Sequence, residues 1–268
     1  MTVDRGVAVI TGGASGIGLA TARALGERGW RLVLADIEGP RLDEAVAGLG
    51  GGDTTIGVIT DVADKQSVDA LADAAFDRFG QVDVVFNNAG VAVGGPTVEM
   101  THADWTWLMQ VNMWGPIHGV EAFLPRMVSQ GTGGHLLFTA SFAGLVPNVG
   151  LGPYCVTKYG VVALAEVLHR ELRDNHIGVS VLCPMRVATN INHSERNRPA
   201  EFGGPEGSPP PTDVTAPDTM SGRVLPVGEV AEHVVNAIGT DRLYIVPHEE
   251  SRVSVRRRFE RIDRAYAG

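Results

Sequence analysis

Short apolar runs recur along the chain, and the intervals between them are long enough for one helix each. The runs are rich in Val, Ile and Leu without regular polar alternation, which is typical of strands buried on both faces of a sheet. They are VAVIT (7–11), RLVLAD (31–36), TIGVITD (55–61), VDVVFNNAG (82–90), HLLFTAS (135–141), GVSVLCP (178–184) and LYIVP (243–247). This pattern predicts seven strands.

The segments between the runs have apolar residues at helical spacing and end at Gly. Examples are LATARALGERG (19–29), RLDEAVAGLG (41–50) and SVDALADAAFDRFG (67–80). A Gly after the last periodic position is a common helix stop. Because strand and helix alternate throughout, we predict an α/β fold. It is one doubly wound, Rossmann-type domain over residues 1–268, a seven-stranded parallel sheet with helices on both faces.

One stretch breaks this rhythm. Residues 199–226 are rich in Pro and Gly and contain few large apolar side chains, so they are not expected to form a packed unit of the core. A passive surface loop and an active-site lid are the two interpretations. We favour a lid over residues 190–225, because the segment follows a strand end, where sheets of this type bind ligands.

The C-terminal tail, SRVSVRRRFERIDRAYAG, carries six arginines between Arg252 and Arg264. Val255, Phe259, Ile262 and Tyr266 fall on one helical stripe. The stripe predicts an amphipathic helix that docks on the domain or lies at a subunit contact. Binding of an anionic ligand by the arginines is the alternative.

Composition narrows the classes of function. Of 268 residues, 44% are hydrophobic and 20% charged, as in a globular protein with a full core, and the net charge of -9 disfavours a nonspecific nucleic-acid binder. No apolar run approaches the ~18 residues of a membrane span, and the start MTVDRGVAVITGG does not resemble a signal peptide. Two cysteines, Cys155 and Cys183, form neither a disulfide framework nor a metal spacing, which fits the cytoplasm. The eight histidines include no metal pair at helical spacing, so no metal site is expected.

The first predicted strand runs into TGGASGIG (11–18) and then into a helix. Glycines permit a tight turn, and the free N–H groups and dipole of a helix N-terminus favour phosphate. The spacing Gly12-x-x-x-Gly16-x-Gly18 differs from the common G-x-G-x-x-G fingerprint. Its position at the start of a βαβ unit nevertheless favours dinucleotide binding.

The second predicted strand ends at Asp36, eighteen residues after Gly18. A carboxylate there would accept hydrogen bonds from the adenosine ribose hydroxyls and repel a 2′-phosphate. The turn 12–18 contains no Arg or Lys, and the nearest after Asp36 is Arg41. The sequence therefore favours NAD over NADP.

Polar groups also end the next two strands. Asp61 and Val62 follow the third, and Asn87-Asn88-Ala89-Gly90 ends the fourth, where a polar turn is the simpler interpretation. Because ligands bind outside the carboxyl ends of the strands, we expect these positions to meet in one crevice.

The stretch YCVTK (154–158) places Tyr154 and Lys158 at i and i+4, on one face of a helix. Taken alone, the pair reads as a tyrosine at the edge of the core beside a lysine that reaches water. A lysine cation near the phenol is worth about 4 kcal/mol at an effective dielectric of about 20, which would lower the tyrosine pKa by up to about three. Desolvation acts against that change.

With these motifs together, the chain resembles the short-chain dehydrogenase/reductase family over nearly its whole length. The resemblance includes TGGASGIG, Asp36, Asp61-Val62, NNAG, Asn112 in QVNMWG, Ser141 in TASFAG, Tyr154-x-x-x-Lys158 and CPMRVATNI (183–191). One departure is Pro184-Met185 where the family usually has Pro-Gly, which puts in doubt the placement of the cofactor and the room for substrate.

The resemblance implies a catalytic set of Asn112, Ser141, Tyr154 and Lys158: Tyr154 as acid or base, Lys158 also on the nicotinamide ribose, Ser141 on the substrate oxygen and Asn112 on a water linked to Lys158. It implies cofactor contacts from Gly12, Ser15, Gly16, Ile17, Gly18, Asp36, Ile37, Asp61, Val62, Asn88, Ala89, Gly90, Tyr154, Lys158, Pro184, Val187 and Thr189.

We expect an NAD-dependent oxidoreductase that interconverts a small secondary alcohol and a ketone. The resemblance also implies a homo-oligomer, a tetramer or a dimer. Two alternatives stay open: an enzyme of the same fold with other chemistry, such as double-bond reduction or epimerisation, and a non-catalytic protein that senses dinucleotides.

Overall fold

The computed structural model describes residues 5–204 and 222–266. Within them, each strand is followed by at least one helix, as the sequence predicts, and the interval between the fourth and fifth strands holds two. The strands are β1 (Val7–Thr11), β2 (Arg31–Asp36), β3 (Thr55–Ile59), β4 (Val84–Asn87), β5 (Gly134–Thr139), β6 (Ile177–Leu182) and β7 (Tyr244–Ile245). The helices are α1 (Gly16–Glu27), α2 (Gly39–Gly48), α3 (Lys65–Phe79), α4 (His102–Met109), α5 (Gly115–Gln130), α6 (Gly152–Glu171), α7 (Val227–Val235) and α8 (Ser251–Arg264).

The seven strands form one sheet in the order β3-β2-β1-β4-β5-β6-β7, and every pairing is parallel. The chain moves outward from β1 to β3, then crosses to β4 and moves outward on the other side. The order therefore reverses between β1 and β4, and the crevice beyond their carboxyl ends is where ligands bind in doubly wound sheets. The predicted α/β class and the seven-stranded parallel sheet are confirmed.

Apolar side chains pack on both faces of the sheet. On one face, Leu71 of α3, Phe123 of α5 and Val161 of α6 join strand residues in a single cluster. On the other, Leu25 of α1 and Val230 of α7 pack against the alternate strand positions. The central strands are buried along their whole length for this reason, as their unbroken apolar runs predict.

The two edge strands depart from the prediction. Residues of β3 alternate between more and less buried positions, and Ile59 is 70% exposed. The last strand is only two residues long, although the apolar run covers 243–247. Both strands have a partner on one side alone, so fewer of their side chains are enclosed. The expectation of strands buried on both faces is therefore wrong at the edges.

The segment predicted as a lid, 190–225, is described in part. Residues 191–197 and 200–202 form short 3₁₀ turns, and Val187 pairs with Leu225 as an isolated bridge. Residues 205–221 of the predicted lid lie outside the described part of the chain. The tail is helical, as expected, but only Val255 of its stripe packs against the core, whereas Phe259, Ile262 and Tyr266 are 58%, 42% and 89% exposed.

Among the helices that the structure describes, none combines the length and the apolar character needed to cross a membrane. Within 5–204 and 222–266, no group of three or more His, Cys, Asp or Glu side chains is arranged to hold a metal ion. Cys155 and Cys183 are both free and buried.

Candidate active site

The Gly-rich turn between β1 and α1 is built for close approach of a ligand. Gly12 and Gly16 have φ angles of +64° and +54°, a region that other residues rarely adopt. A Cβ on Gly18 would lie 2.2 Å from the Gly12 carbonyl oxygen, so a side chain there is excluded. Ser15 at the N-cap makes no capping hydrogen bond, and the first turn of α1 contains no acidic residue. The N–H groups at this terminus thus suit an anion from outside the chain.

The NNAG motif is tied to this turn. Thr11 Oγ1 accepts hydrogen bonds from the backbone N–H groups of Asn88 and Ala89 at 2.9 and 3.1 Å, and Asn88 Nδ2 donates to the Thr11 carbonyl at 3.0 Å. Asn88 Oδ1 accepts from Thr139 Oγ1 at 3.0 Å. The side chain of Asn88 therefore holds the ends of β1, β4 and β5 in register and positions the backbone of Gly90.

Asp36 lies at the end of β2 and is fixed by backbone donors. Its Oδ2 accepts from the Ala14 N–H at 3.0 Å and its Oδ1 from the Glu38 N–H at 3.1 Å. The carboxylate is thus held beside the Gly-rich turn. Asp61 Oδ1, by contrast, accepts from the N–H of Ala63 two residues on, at 2.9 Å, so part of its role is to form its own turn.

Tyr154 and Lys158 lie in α6 with buried side chains, 9% and 3% exposed. Lys158 Nζ donates to the Thr139 carbonyl at 2.9 Å and lies 5.5 Å from the centre of the Tyr154 ring. Ser141 follows β5, and its side chain hydrogen-bonds to Tyr154. The three side chains come from β5 and α6 and meet at the carboxyl edge of the sheet.

The ionisation of this group is dominated by burial. Burial raises the pKa of Tyr154 to about 12, against which the hydrogen bond with Ser141 acts. Burial also lowers the pKa of Lys158 to about 8, with the neighbouring Cys183 acting in the opposite direction. The expectation that the ammonium brings the pKa of the tyrosine below its ordinary value is therefore wrong for the protein by itself. Lys158 donates a hydrogen bond to the Thr139 carbonyl and is itself removed from water, and burial of Tyr154 has the larger effect on the pKa of the tyrosine.

Asn112 lies behind the site, fully buried in a π-helical segment between α4 and α5. Its Oδ1 accepts from the Val91 N–H and its Nδ2 donates to the Val91 carbonyl, both at 2.8 Å. A Cβ on Gly90 would lie 3.3 Å from Asn112 Oδ1 and 3.4 Å from Lys158 Nζ. Asn112 thus fixes the backbone beside Lys158.

The predicted site residues line one cleft with two halves, which we name after Tyr154 and Asp36. The tyrosine half contains Gly16, Ile17, Asn88, Ser141, Tyr154, Lys158, Pro184, Val187 and Thr189. The aspartate half contains Asp36, Ile37, Asp61 and Val62, and Gly12, Ser15, Ala89 and Gly90 line both halves. Gly18 and Asn112 line neither half; each packs behind the wall. A cleft with this shape and donor set fits a dinucleotide.

The amino-acid sequence matches the model of a known protein family. The family is described as short chain dehydrogenase, and the match covers residues 6–200. The chain belongs to the short-chain dehydrogenase/reductase family. The resemblance noted in the motifs is thereby confirmed, as is the expectation of an oxidoreductase of this family.

Relatives within the family cover nearly the whole chain. The C alpha-dehydrogenase of Sphingobium sp. (strain NBRC 103272 / SYK-6) is 33% identical over 258 residues, 96% of this chain and 85% of the relative. The 1-deoxy-11-beta-hydroxypentalenate dehydrogenase of Streptomyces exfoliatus is 35% identical over 263 residues, 97% of this chain and 89% of the relative. A short-chain dehydrogenase/reductase from Burkholderia phymatum, solved in complex with NAD, superposes with a TM-score of 0.90 at 39% identity, over 98% of this chain and 96% of that one.

Met185, where this short-chain dehydrogenase/reductase departs from the usual family pattern, lines the tyrosine half beside Pro184. Its backbone N–H donates to His248 Nδ1 at 3.2 Å, and His248 Nε2 lies 3.0 Å from the Arg186 carbonyl. Because Nδ1 accepts, Nε2 is the donor, and the buried His248 holds the turn after β6 through these hydrogen bonds. The cleft is retained with Met185 in its wall.

Sequence reasoning expected Val187 and Thr189 of the segment after β6 in the site, and a lid over 190–225, but it missed three of the polar side chains that complete this wall of the cleft. We call residues 187–204 the strap. Arg196 and Asn197 of the strap line both halves of the cleft, and Glu38, two residues beyond Asp36, lines the aspartate half. Arg196 and Glu38 are 158 positions apart in sequence, so no local spacing indicates that they meet.

Proposed function

We propose that the protein is an NAD-dependent oxidoreductase that interconverts a small secondary alcohol and its ketone. The observation that carries the proposal is the convergence of Ser141, Tyr154 and Lys158 on one half of a cleft whose other half presents Asp36. The Streptomyces relative, named as the dehydrogenase of a hydroxylated compound, supports a hydroxyl substrate.

The bound nicotinamide would supply or accept the hydride. The chain's own residues handle the proton and the substrate oxygen. We propose that Tyr154 Oη takes the hydroxyl proton of the alcohol during oxidation and returns it to the carbonyl oxygen during reduction. Ser141 Oγ would hydrogen-bond the same oxygen and orient it, because its side chain already meets Tyr154.

Lys158 would stabilise the charge that develops on Tyr154. A tyrosine whose pKa is raised by burial keeps its proton at neutral pH and is a weaker acid, so both the phenolate that takes a proton during oxidation and the release of a proton during reduction need nearby positive charge. The ammonium of Lys158, 5.5 Å from the ring centre, is one source of that charge. Asn112 would act as a positioning residue through its two hydrogen bonds with Val91.

Asp36 supports NAD as the cofactor. Its carboxylate is fixed by two backbone N–H groups at the aspartate half, where a 2′-phosphate would bring a second negative charge close to it. The arginine that comes next after it, Arg41, has its Nε 3.2 Å from Glu38 Oε2 and lines neither half of the cleft. The related structure from Burkholderia phymatum holds NAD.

The proposal is tested with purified protein, NAD and a panel of secondary alcohols, followed by the absorbance of reduced cofactor. We expect turnover of at least one alcohol. Tyr154→Phe should lower kcat by about a thousand-fold or more and change the affinity for NAD by less than about two-fold, because only the acidic hydroxyl is removed.

Three results would contradict it. Full turnover by Tyr154→Phe would exclude the tyrosine as acid and base. NAD binding without turnover of any alcohol, enone or epimerisable substrate would favour a sensor. Turnover of an enone or an epimerisable substrate alone would favour one of the other chemistries of the fold.

We also propose that the protein is a homo-oligomer, a tetramer or a dimer. Apolar side chains are exposed on α6 (Val156, Val167), β7 (Tyr244) and α8 (Phe259, Ile262), at 50%, 51%, 43%, 58% and 42%. Association of two chains through these exposed apolar side chains would remove them from water and lower the free energy. Light scattering after size exclusion should give a mass two or four times the 28.4 kDa of one chain, and the mass of one chain would refute the proposal.

The compartment we propose is the cytoplasm. Both cysteines are free thiols and buried, and neither is paired. Thiols persist in a reducing compartment. Fractionation of the source cells with an antibody to this chain would test it, and recovery outside the cytoplasm would refute it.

A further inference from the structure

The strap is a built part of the cleft wall. Ser194 is buried, and its Oγ accepts from the Ala92 N–H at 3.2 Å and donates to the Ile191 carbonyl at 2.6 Å. Arg198, 7% exposed, forms a buried ion pair with Asp104 of α4. Its Nη1 lies 3.3 Å from Glu195, and its guanidinium carbon is 5.2 Å from the centre of a Trp107 ring. These contacts attach the strap to the loop after β4 and to α4.

Arg196 and Asn197, beside this anchor, connect the strap to the loop after β2. Arg196 Nη2 and Nε donate to Glu38 Oε1 at 2.6 and 3.1 Å, and Asn197 Nδ2 donates to the same oxygen at 3.0 Å. Arg196 Nη1 donates to the His193 carbonyl at 2.8 Å. The guanidinium is thereby held at a defined point, where the two halves of the cleft join.

The junction of the two halves carries positive charge from the side chain of Arg196. Among the described residues that line the two halves, the only basic side chains are Lys158 and Arg196. Lys158 is committed to the Thr139 carbonyl in the tyrosine half. Arg196 lines both halves, a property it shares with Gly12 and Ser15 of the Gly-rich turn. A cation and the N-terminus of α1 therefore both face the part of the cleft that joins the halves.

We infer that Arg196 is a further cofactor-binding residue, which pairs with the diphosphate of the dinucleotide together with the N-terminus of α1. The inference rests on the proposed dinucleotide cofactor. The diphosphate lies between the two nucleosides, so a ligand that reaches from Asp36 to Tyr154 has its two negative charges at the junction. Glu38 and Asn197 position the arginine there. The hydrogen bonds of Arg196 to Glu38 and to the His193 and Asn190 carbonyls use four of the five N–H donors of a guanidinium, so one donor and the positive charge remain for a phosphate oxygen.

Arg41 provides a matched control. Both arginines pair with Glu38, Arg196 with Oε1 and Arg41 with Oε2, but Arg41 does not line either half of the cleft. If the substitutions act only by changing Glu38, replacing either arginine should therefore change the affinity for ADP-ribose by a similar factor. A substitution that removes a phosphate contact should matter only at Arg196.

The test is calorimetric titration of the full chain with ADP-ribose, which carries the diphosphate, and with adenosine, which has no phosphate. Arg196→Gln should weaken ADP-ribose binding by about 10- to 100-fold, the usual effect of losing a charge-assisted hydrogen bond. Arg41→Gln should weaken it by less than about three-fold. Neither variant should change adenosine binding by more than about two-fold, and Arg196→Lys should recover part of the loss.

Several outcomes would overturn the inference. Equal effects of the two substitutions on ADP-ribose would assign the loss to Glu38 alone. Equal losses for ADP-ribose and adenosine in Arg196→Gln would indicate a change of shape rather than a lost phosphate contact. Failure of the unsubstituted protein to bind ADP-ribose would refute both this inference and the proposed cofactor. Binding that depends on Arg196, with no alcohol turned over, would support the inference while the proposed reaction fails.

Discussion

The two walls of the cleft are held in place by different forces. The scaffold wall, formed by residues 11–18, 88–90, Ser141, Tyr154 and Lys158, comes from strand ends and α6 and is fixed by backbone hydrogen bonds and burial. The strap is attached by side-chain ion pairs, Arg198 with Asp104 and Arg196 with Glu38. The scaffold wall carries the proposed proton chemistry, and the strap carries Arg196, the residue that we infer to pair with the diphosphate.

This difference indicates that the two walls have different requirements for rigidity. Groups that must be held within a fraction of an ångström lie on rigid elements of the sheet. A wall that must admit and release a ligand is better attached by a few polar contacts, which open at lower free energy than core strands. The following predictions test whether the two walls behave as separate units.

We expect the largest effect from Lys158→Met on the scaffold wall, and the quantity affected is kcat. The change keeps the length of the side chain and removes its charge, so we expect kcat to fall by about a thousand-fold. Because burial disfavours the ammonium, thermal stability should stay equal or rise. Lys65→Met, at the chain's other lysine, exposed on α3, is the control and should leave kcat unchanged. A kcat within about ten-fold of the starting protein would refute the role of Lys158.

The next effect is expected on the strap, from Arg198→Met. The substitution leaves Asp104 buried without its ion-pair partner, which typically costs about 3–5 kcal/mol. We expect that loss to appear as faster amide hydrogen exchange over residues 191–204, while β1, β4 and β5 exchange as before. Arg256→Met, which breaks an exposed pair with Glu260, is the control. Equal acceleration in the strap and the strands would show that the walls form one cooperative unit.

The third prediction concerns the dependence of stability on pH, and it involves His135 of β5. Its Nδ1 accepts from the Gly239 N–H at 3.3 Å, and its Nε2 lies 2.9 Å from Ser180 Oγ, which donates to the Arg242 carbonyl. Nε2 is therefore the donor and the ring is neutral. Burial, followed by the charge of His169, lowers the pKa of His135 to about 4.

The sign of the pH dependence follows from that pKa. Between about pH 6.5 and 4 the unfolded chain takes up a proton at His135 that the folded protein does not, so stability is lost as the pH falls. The expected loss is up to about 3 kcal/mol at pH 4, beyond what the carboxyl groups cause. Urea unfolding should show a smaller acid loss in His135→Asn, whereas the exposed His102→Asn should keep the full loss. Identical acid slopes in all three proteins would contradict the assignment.

The smallest effect is expected at the aspartate half, from Asp36→Asn. The amide keeps an acceptor oxygen for the Ala14 N–H but removes the charge that disfavours a 2′-phosphate. We expect the ratio of NAD to NADP affinity to fall by about 10-fold, measured by fluorescence titration with both cofactors. Asp43→Asn, exposed on α2, should leave the ratio unchanged. An unchanged ratio in Asp36→Asn would show that another group selects the cofactor.

Sequence reasoning found the scaffold wall and, in the strap, Val187 and Thr189, but it missed the ion pairs that attach the strap, for one physical reason. The motifs TGGASGIG, NNAG and YCVTK are local, and each gives its residues one geometry through a turn or a helix. The contacts of Arg196 with Glu38 and of Arg198 with Asp104 join residues 158 and 94 positions apart. Nothing in the spacing of those residues along the chain distinguishes them from solvated charges.

The same limit applies to the acidity of Tyr154. The i, i+4 spacing correctly places Lys158 beside the tyrosine, but the direction of the pKa depends on how much water each group loses. Burial of Tyr154 to 9% exposure and the hydrogen bond of Lys158 with Thr139 outweigh the attraction expected from the ammonium. Desolvation is a property of the packed environment and is absent from a pattern of residues.

The sequence by itself determined the succession of strands and helices, the parallel sheet, the Gly-rich turn after β1 and the placement of Tyr154 beside Lys158. Each follows from hydrophobic periodicity or from spacing within one element. Only the tertiary structure decided the exposure of the edge strands, the two-residue length of β7, the attachment of the strap and the direction of the pKa shifts. These depend on which distant groups meet and how far they are removed from water, and both are settled when the chain packs.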